Sequence, residues 1–392
     1  MGSGASAFAT SETMTAAPKP SHMPALDGLR GLAILLVIPH NMNLFGAEGF
    51  VRVFTLGASA GWIGVQLFFV LSGFLITLGL LDSLGSTNYY RNFYARRALR
   101  IFPLYYGTLA LLFAVLPAMG LPVVEHPEHQ AWLWLYVSNW TDPFGLNVRG
   151  LGHFWSLAVE EQFYLTWPLL VAVFSRRLLR LCLTVAGVAL VGRLGLLLMG
   201  ASRDAVYLFT VCRMDALVLG AAAAMLFSTP GFSLPPGWSG SRLFWKGFSL
   251  IVAGAILTNV YSNLGFASLS FGFSLLAVAF AMMTLAAATP GAGWWRTVLE
   301  FAPLRSVGKY SYAMYVFHLP INLIWQSSLL GVLGWTGAMR PVAYMALVTV
   351  LSYASAFVSY HILEKHFLKL KKFFAPQHTF PRGTSTLEGV AS

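Results

Sequence analysis

Residues 153–200 read HFWSLAVEEQFYLTWPLLVAVFSRRLLRLCLTVAGVALVGRLGLLLMG, two apolar runs joined by a short basic turn. The runs at 154–174 and 181–200 each have roughly the 20 residues that a helix needs to cross about 30 Å of hydrocarbon. The turn between them holds Arg176 and Arg177, with Arg180 close behind. Because basic residues collect in cytoplasmic loops, this stretch predicts a membrane-spanning helical hairpin whose turn lies in the cytoplasm.

The same pattern recurs along the chain. Further apolar runs lie at 27–45, 61–81, 102–120, 206–227, 245–262, 266–288, 310–333 and 341–363. Only 10% of the 392 residues are charged, whereas a typical soluble domain has about 25%. We therefore predict an all-α, polytopic membrane helix bundle with ten transmembrane helices.

The basic residues set the predicted topology. Of 25 Lys and Arg residues, 18 fall in segments that this topology places in the cytoplasm, and four fall outside. This asymmetry predicts that both termini are cytoplasmic. It also explains the net charge of +11 without a nucleic-acid partner. The predicted organisation is a flexible cytoplasmic N-terminal tail at 1–24, a membrane domain at 25–367 and a cytoplasmic C-terminal tail at 368–392.

Two further features of the sequence do not point to a catalytic or binding role. The outer loop 121–153 contains the aromatic run AWLWLYVSNW at 131–140, which is too short for a span and typical of an interfacial or re-entrant segment. The two cysteines, Cys182 and Cys212, fit no metal-ligand or disulfide pattern, and we expect no metal site.

Ionisable residues inside apolar spans are the main candidates for function. Each costs about 2.5–3.5 kcal/mol near the bilayer centre on insertion scales. The first span carries Asp27 and Arg30 near its cytoplasmic start and His40 in its outer half, where Pro39 predicts a kink. The fourth span carries Glu160 and Glu161, whose side chains point about 100° apart on a helix and so have different partners. A His oriented by a carboxylate is a general base for hydroxyl groups, which suggests that His40 pairs with Glu160 or Glu161.

Other polar residues allow two interpretations each. Arg97 and Arg100 lie on one helix face, where they either anchor the topology or bind phosphate groups of an acyl-coenzyme A. Ser72, beside Gly73, indicates either close helix packing or a binding site. His318 lies near the middle of the ninth span, where we expect a hydrogen bond to a carboxylate or a tyrosine.

Six segments in order resemble the acyltransferase-3 family of membrane acyltransferases. They are LDGLRGLAILLVIPHN, LFFVLSGFLI, FYARRALRIFPLYY, HFWSLAVEEQFYLTWP, YSYAMYVFHLPI and HILEKHF, and the resemblance runs from about residue 25 to 367. It implies an acyl-coenzyme A co-substrate, with no tightly bound cofactor, and O-acylation of a surface carbohydrate or glycoside. It also implies a bacterial inner-membrane protein of the stand-alone form, without a C-terminal soluble domain.

The resemblance also implies roles for residues that match the family motifs. His40, Glu160 and Glu161 are expected to be catalytic, and Arg30, Arg97, Arg100 and Ser72 to bind the coenzyme. Trp155, Gln162, Tyr164 and His318 are expected to bind substrate. One departure bears on His40: nine residues separate it from Arg30, where the family usually has ten. On a regular helix this leaves His40 about 80° away from Arg30, unless Pro39 unwinds the helix locally.

The expected reaction is transfer of an acyl group, acetyl in the first instance, either directly or through an acyl-His intermediate. Lipopolysaccharide, exopolysaccharide, a lipo-oligosaccharide and a macrolide sugar all fit as acceptors, and assembly into a homo-oligomer is left open. A transporter or flippase for a lipid-linked glycan would also explain the spans and buried charges. A third alternative is a regulatory protein that senses a glycolipid, which would tolerate Glu160→Gln.

Overall fold

The computed structural model describes residues 23–42, 57–121, 123–230, 232–258, 264–332 and 340–375. Ten long helices run through these residues, and the described part of the chain contains no β-strand. They are α1 Pro24–His40, α2 Ile63–Ser83, α3 Tyr89–Ala110, α4 Phe154–Phe174, α5 Leu178–Leu198, α6 Thr210–Ser228, α7 Gly240–Leu257, α8 Phe273–Ala288, α9 Ala302–Val332 and α10 Arg340–Ser359. Each overlaps one of the ten predicted spans.

Seven stretches of these helices are long and apolar enough to cross a membrane, and one of them, Phe154–Leu198, contains both α4 and α5. The protein is therefore an all-α integral membrane bundle, as its composition predicts. The number of crossings and the cytoplasmic location of the termini stay predictions. The predicted tails at 1–24 and 368–392 fall largely outside the described residues.

Two helices begin before the apolar spans predicted for them, and for the same reason. The third helix begins at Tyr89 rather than 102, and the ninth at Ala302 rather than 310. Both early turns carry basic residues, among them Arg97 and Lys309. Such residues lower the local hydropathy without breaking a helix, because Arg and Lys are good helix formers.

Glycines set the closest helix contacts. A β-carbon added at Gly73 of α2 would overlap the Leu217 carbonyl of α6, and one at Gly220 of α6 would overlap the Val70 carbonyl of α2. Gly308 of α9 lies in the same way against the Asp27 carbonyl of α1. Small residues let helix backbones approach closely in membranes, where packing and not water exclusion drives association. The pairs α2–α6 and α1–α9 thereby frame the interior.

The outer loop folds back against the bundle. Its short helix Ala131–Trp134 accepts hydrogen bonds at Leu133 O from the Tyr105 hydroxyl (2.8 Å) and at Trp134 O from the Tyr106 hydroxyl (3.3 Å). Both tyrosines lie in the C-terminal third of α3. The aromatic run thus packs along α3, and its interfacial or re-entrant position in the membrane stays a prediction. We refer to residues 131–140 as the re-entrant segment.

Candidate active site

A buried pocket lies among α1, α2, α3, α4 and α9. Each helix contributes polar side chains to it, so that the pocket is a polar interior within an apolar bundle. Its lining residues are Arg30, Val65, Phe68, Phe69, Ser72, Arg97, Arg100, Ile101, Ser156, Leu157, Glu160, Glu161, Tyr164, Ser311, Tyr312 and Tyr315. Seven of the residues proposed from sequence meet here: Arg30, Ser72, Arg97, Arg100, Glu160, Glu161 and Tyr164. We call this the central pocket.

Glu160 is held by two hydroxyl donors in the central pocket. Ser72 Oγ donates to its Oε1 at 2.7 Å, and the Tyr164 hydroxyl donates to its Oε2 at 2.9 Å. Tyr164 lies four residues further along α4, where the helix brings the two side chains together. Arg97 lies over the Tyr164 ring, with Cζ 5.7 Å from the ring centroid. The carboxylate of Glu160 is therefore fixed in orientation, and Ser72 contributes a hydrogen bond as well as close packing.

Glu161 has different surroundings, as the 100° offset predicts. Its Oε1 is buried, yet it has no hydrogen-bond partner among the described residues. Leaving a buried acceptor unpaired costs about 1–3 kcal/mol, and more for a charged group. Such orphaned groups are rare in native proteins and call for an explanation, such as a role in catalysis. Glu161 is therefore the carboxylate in the pocket that is free to receive a proton.

A second, more open pocket continues from the central pocket at the end of the bundle where α1 and α9 begin. It is lined by Asp27, Arg30, Arg100, Ala302, Arg305, Ser306 and Lys309. Arg30 and Arg100 belong to both pockets. Four cationic side chains face one carboxylate, Asp27, which lies 3.5 Å from Arg30 Nη1. This basic mouth is suited to a ligand with several phosphate groups, because Arg binds phosphate oxygens bidentately.

His40 is not joined to either carboxylate in the described structure. Its Nδ1 lies 2.8 Å from the Ser59 carbonyl oxygen, and it does not line the central pocket. The helix α1 stays regular through Pro39 to its end at His40, so the predicted unwinding is not seen. Ten helical steps then place His40 about 15 Å beyond Arg30 along the axis and about 80° around it. The predicted pairing of His40 with Glu160 or Glu161 is therefore wrong, whereas a role for His40 near the outer end of the bundle stays a prediction.

Among the described residues, His318 hydrogen-bonds to a tyrosine, as one of the two expectations had it, but through the backbone carbonyl of Tyr315 and not the hydroxyl. Its Nδ1 lies 2.6 Å from the Tyr315 carbonyl oxygen, which only a donor can contact favourably. The proton is accordingly assigned to Nδ1, and Nε2 accepts from Asn41 Nδ2 at 3.0 Å. His318 is fully buried and lies outside the lining of the central pocket. It orients Tyr315 and the end of α1 and does not contact the pocket itself.

Trp155 and Gln162 also lie outside the central pocket. Trp155 packs edge-on against Phe69, with ring centroids 6.0 Å apart. Gln162 Nε2 donates to the Tyr136 carbonyl at 2.8 Å and to Asn139 Oδ1 at 2.9 Å. Gln162 thereby attaches the re-entrant segment to α4, a role that its position in the motif does not reveal.

Four hydroxyl side chains of the central pocket were not among the predicted site residues: Ser156, Ser311, Tyr312 and Tyr315. Ser156 Oγ and the Tyr315 hydroxyl lie 2.6 Å apart, and Tyr315 donates to the His153 carbonyl at 2.8 Å. The spacing of Tyr312 and Tyr315 in KYSYAMYVFH was a usable signal, because residues three apart share a helix face.

A buried ion pair outside the lining of the central pocket was missed as well. Arg193 Nη2 lies 2.8 Å from Asp215 Oδ2, and both side chains are completely buried. Ser274 Oγ donates to the same carboxylate oxygen at 2.7 Å, and the backbone N–H of Ala216 donates to the other at 2.9 Å. Sequence alone shows that Arg193 lies inside a span, but not which helix supplies its partner.

Each of the two pockets has more cationic side chains than carboxylates. No group of three or more His, Cys, Asp or Glu side chains that could hold a metal lies within the described ranges. The charged side chains of the pockets are instead mostly guanidinium groups, which bind anions.

Comparison with known proteins gives one family and several relatives. A family model described as an acyltransferase domain matches residues 23–361. The peptidoglycan O-acetyltransferase OatA of Listeria monocytogenes is 31% identical over 326 residues, which cover 76% of this chain and 49% of that protein. The O-acetyltransferase OatA of Staphylococcus aureus is 28% identical over 375 residues, covering 88% of this chain and 57% of that protein.

A third relative is the putative peptidoglycan O-acetyltransferase YrhL of Bacillus subtilis, 28% identical over 369 residues. That match covers 88% of this chain and 54% of the relative. The chain thus spans about half the length of the curated relatives it matches. No solved structure matches.

Proposed function

The chain belongs to the acyltransferase-3 family, whose domain model matches residues 23–361, and on that premise we propose that it is a membrane O-acetyltransferase. It moves an acetyl group from acetyl-coenzyme A to a hydroxyl of a surface carbohydrate or glycoside. The choice of acetyl is supported by relatives that are named O-acetyltransferases. Because two of the relatives carry peptidoglycan in their names, a peptidoglycan sugar joins the candidate acceptors. We place the protein in the bacterial inner membrane.

One observation carries this proposal: the basic mouth opens into the pocket that holds Glu160 and Glu161, through the shared residues Arg30 and Arg100. Coenzyme A is a polyanion with a long flexible arm that ends in the thiol. Its phosphates bind at the mouth, and the arm delivers the thioester to the buried carboxylates. An extended donor of this kind fits a site that runs from Arg305 and Lys309 in the mouth to Glu160 and Glu161 in the central pocket.

The chemistry follows from the two carboxylates. The unpaired Oε1 of Glu161 takes the proton from the acceptor hydroxyl, the hydroxyl oxygen forms a bond to the thioester carbonyl carbon, and the carbon–sulfur bond breaks. The thiolate that leaves takes up the proton, so the products are an acetyl ester and free coenzyme A. Arg97 stabilises the negative charge that develops on the carbonyl oxygen. Glu160, fixed by Ser72 and Tyr164, keeps the helix face and the arginine in position.

The proposed donor site is tested by replacing arginines of the basic mouth with uncharged residues. We expect Arg100→Gln and Arg305→Gln each to raise KM for acetyl-coenzyme A by about 10- to 100-fold, the loss of one charged hydrogen bond of about 1.5–3 kcal/mol. The turnover number should change less, since the phosphates lie far from the reacting bond. The measurement is release of free thiol from acetyl-coenzyme A by the purified protein in nanodiscs.

Arg177→Gln is the matched control, because Arg177 is an exposed arginine in the turn between α4 and α5. An unchanged KM in all three variants would contradict the proposed donor site. A transporter or flippase, the alternative function, would release no thiol at all.

A further inference from the structure

A third pocket opens beside the central pocket, between α3 and α4 and under the re-entrant segment at 135–137. Its lining residues are Tyr94, Arg97, Ala98, Phe102, Leu135, Tyr136, Val137, Glu161, Gln162, Tyr164 and Leu165. Arg97, Glu161 and Tyr164 belong to the central pocket too. The wall between the two pockets therefore contains the proposed general base, Glu161, and Arg97, which is proposed to stabilise the developing negative charge. We call this the lateral pocket.

The rim of the lateral pocket lies on the outside of the bundle. Leu165 of α4 is 69% exposed and Leu135 of the re-entrant segment is 66% exposed, and Phe102 of α3 is also exposed. The helices α3 and α4 both belong to stretches that are apolar enough to span a membrane. An exposed Leu or Phe on such a helix faces hydrocarbon. The lateral pocket thus opens on the side of the bundle, where α3 and α4 would face the bilayer, with exposed Leu and Phe side chains at its rim and Arg97 and Glu161 inside it.

Two polar atoms in the lateral pocket are left for a ligand. Glu161 Oε1 and the Tyr136 hydroxyl are both buried without a hydrogen-bond partner among the described residues. Tyr136 is only 8% exposed, and its backbone is left-handed, with a φ of 53°. This conformation costs a non-glycine residue about 1–2 kcal/mol. The surrounding contacts hold it there: its ring stacks on Tyr105 at 4.2 Å and its carbonyl accepts from Gln162.

We propose that the lateral pocket is the acceptor site and that the acceptor is an amphiphile, whose aliphatic chain stays in the bilayer while its hydroxyl reaches Glu161 and Tyr136. This inference rests on the proposed acetyl transfer and names the substrate class for it. The donor does not need this pocket, because its phosphates have the basic mouth, which shares no lining residue with the lateral pocket. A free, water-soluble glycan would have no reason to enter through a rim of exposed Leu and Phe side chains. A sugar or other hydroxyl compound linked to a lipid chain fits, because its chain can lie at the apolar rim while its hydroxyl reaches the polar groups inside the pocket.

The test uses two acceptors that differ only in the chain: methyl and dodecyl glycosides of N-acetylglucosamine, offered to the protein in nanodiscs with acetyl-coenzyme A. For the unaltered protein, we expect kcat/KM to be at least about tenfold higher for the dodecyl glycoside, a gain that burial of two methylenes already yields. Ala98→Phe, which fills the lateral pocket from α3, should bring this ratio close to one. Leu165→Trp at the rim gives a second variant with the same expectation. A ratio within one variant is independent of the amount of folded protein.

Ala114→Phe is the matched control, because Ala114 is an exposed alanine further along the same transmembrane stretch, outside the lateral pocket. It should keep the full ratio, which separates binding in the pocket from simple partitioning of the chain into the bilayer. Transfer to both glycosides with equal kcat/KM would overturn the amphiphile inference and leave acetyl transfer standing. So would an equal fall of the ratio in the Ala98 and Ala114 variants. Absence of any thiol release from acetyl-coenzyme A would instead overturn the proposed function, and this inference with it.

Discussion

Buried charges in this bundle fall into two groups that serve different purposes. Arg193 and Asp215 are completely buried, and both carboxylate oxygens of Asp215 accept hydrogen bonds. Glu161 is partly exposed, but its buried Oε1 has no hydrogen-bond partner among the described residues. A satisfied pair contributes to a specific fold, whereas an unsatisfied carboxylate beside a pocket is available for chemistry. The Arg193–Asp215 pair is accordingly a matter of stability and not of catalysis.

Removal of one partner of that pair tests this division. Asp215→Ala leaves a charged guanidinium without its carboxylate in a dry interior, and we expect a loss of about 3–5 kcal/mol in the free energy of unfolding. The double variant Arg193→Met, Asp215→Leu should recover much of that loss, because it leaves no charge unpaired. The measurement is thermal unfolding in a mild detergent, followed by circular dichroism. If the single variant were as stable as the unaltered protein, the pair would not have the structural role given to it here.

For individual residues, the sequence predicts well which side chains line the central pocket. It predicts poorly which side chains contact one another across helices. The motif residues Arg97, Arg100, Glu160 and Glu161 do line one pocket. Helix periodicity puts Arg97 and Arg100 on one face and gives Glu160 and Glu161 different partners. His40 does not join them, since a spacing of ten residues on a regular helix rotates it away from the face of Arg30. Pairings between helices, such as Arg193 with Asp215, depend on tertiary packing that no local pattern contains.

Single helices in this protein choose their partners through small residues. Gly73 and Gly220 lie reciprocally against backbone carbonyls across the α2–α6 contact. Ser72, the neighbour of Gly73, is the residue that donates to Glu160. A glycine contact in the interior therefore sets the position of a hydrogen bond in the central pocket. The packing of α2 against α6 therefore affects the geometry of the Ser72–Glu160 hydrogen bond.

The coupling predicts a contrast between two glycines of the same helix. Gly73→Val would force α2 and α6 apart, and we expect it to lower stability by about 1–3 kcal/mol, the usual cost of overpacking, and to reduce acetyl transfer. Gly79→Val places the same side chain where nothing lies within 4 Å of the added β-carbon. It should leave both properties close to those of the unaltered protein. Thermal unfolding and thiol release, measured on both variants, check this, and equal effects at the two positions would refute the packing argument.

Helices themselves are the most predictable part of the fold. Hydropathy alone locates all ten, because a span must satisfy its backbone hydrogen bonds internally and present an apolar surface to lipid. The helices α3 and α9 begin before their predicted apolar spans, since basic residues continue each helix beyond the apolar run. The π-helical turns at Leu111–Val115, Ser268–Gly272 and Tyr360–Glu364 have no signal that sequence analysis detects. They arise where a helix adjusts to its neighbours.

For the whole molecule, the asymmetry of charge predicts which ends of the helices face the cytoplasm. The basic mouth lies at the end where α1 and α9 begin, the side with most of the Lys and Arg residues. If that side is cytoplasmic, the donor enters from the compartment that contains acyl-coenzyme A. The orientation of the bundle thus decides whether the proposed reaction is possible in the cell.

The orientation is tested with single cysteines and an impermeant maleimide on intact spheroplasts. Phe144→Cys, in the outer loop where Phe144 is exposed, should be labelled from outside. Ser233→Cys, an exposed position in the connector before α7, should react only after permeabilisation. The native Cys182 and Cys212 are buried and should contribute little background. The reverse labelling pattern would place the basic mouth on the wrong side for the donor.

The central claim is that Glu161 in the central pocket accepts the proton during acetyl transfer. Its most direct measurement is transfer of labelled acetyl from acetyl-coenzyme A by the Glu161→Gln variant. The control is Glu128→Gln in the outer loop, where the side chain is exposed and lies outside the pockets. We predict that Glu161→Gln lowers kcat by about 10²- to 10⁴-fold, the usual contribution of a general base, with little change in KM for the donor, and that Glu128→Gln transfers at the normal rate. A folded Glu161→Gln protein that transfers acetyl as fast as the unaltered enzyme would contradict the account.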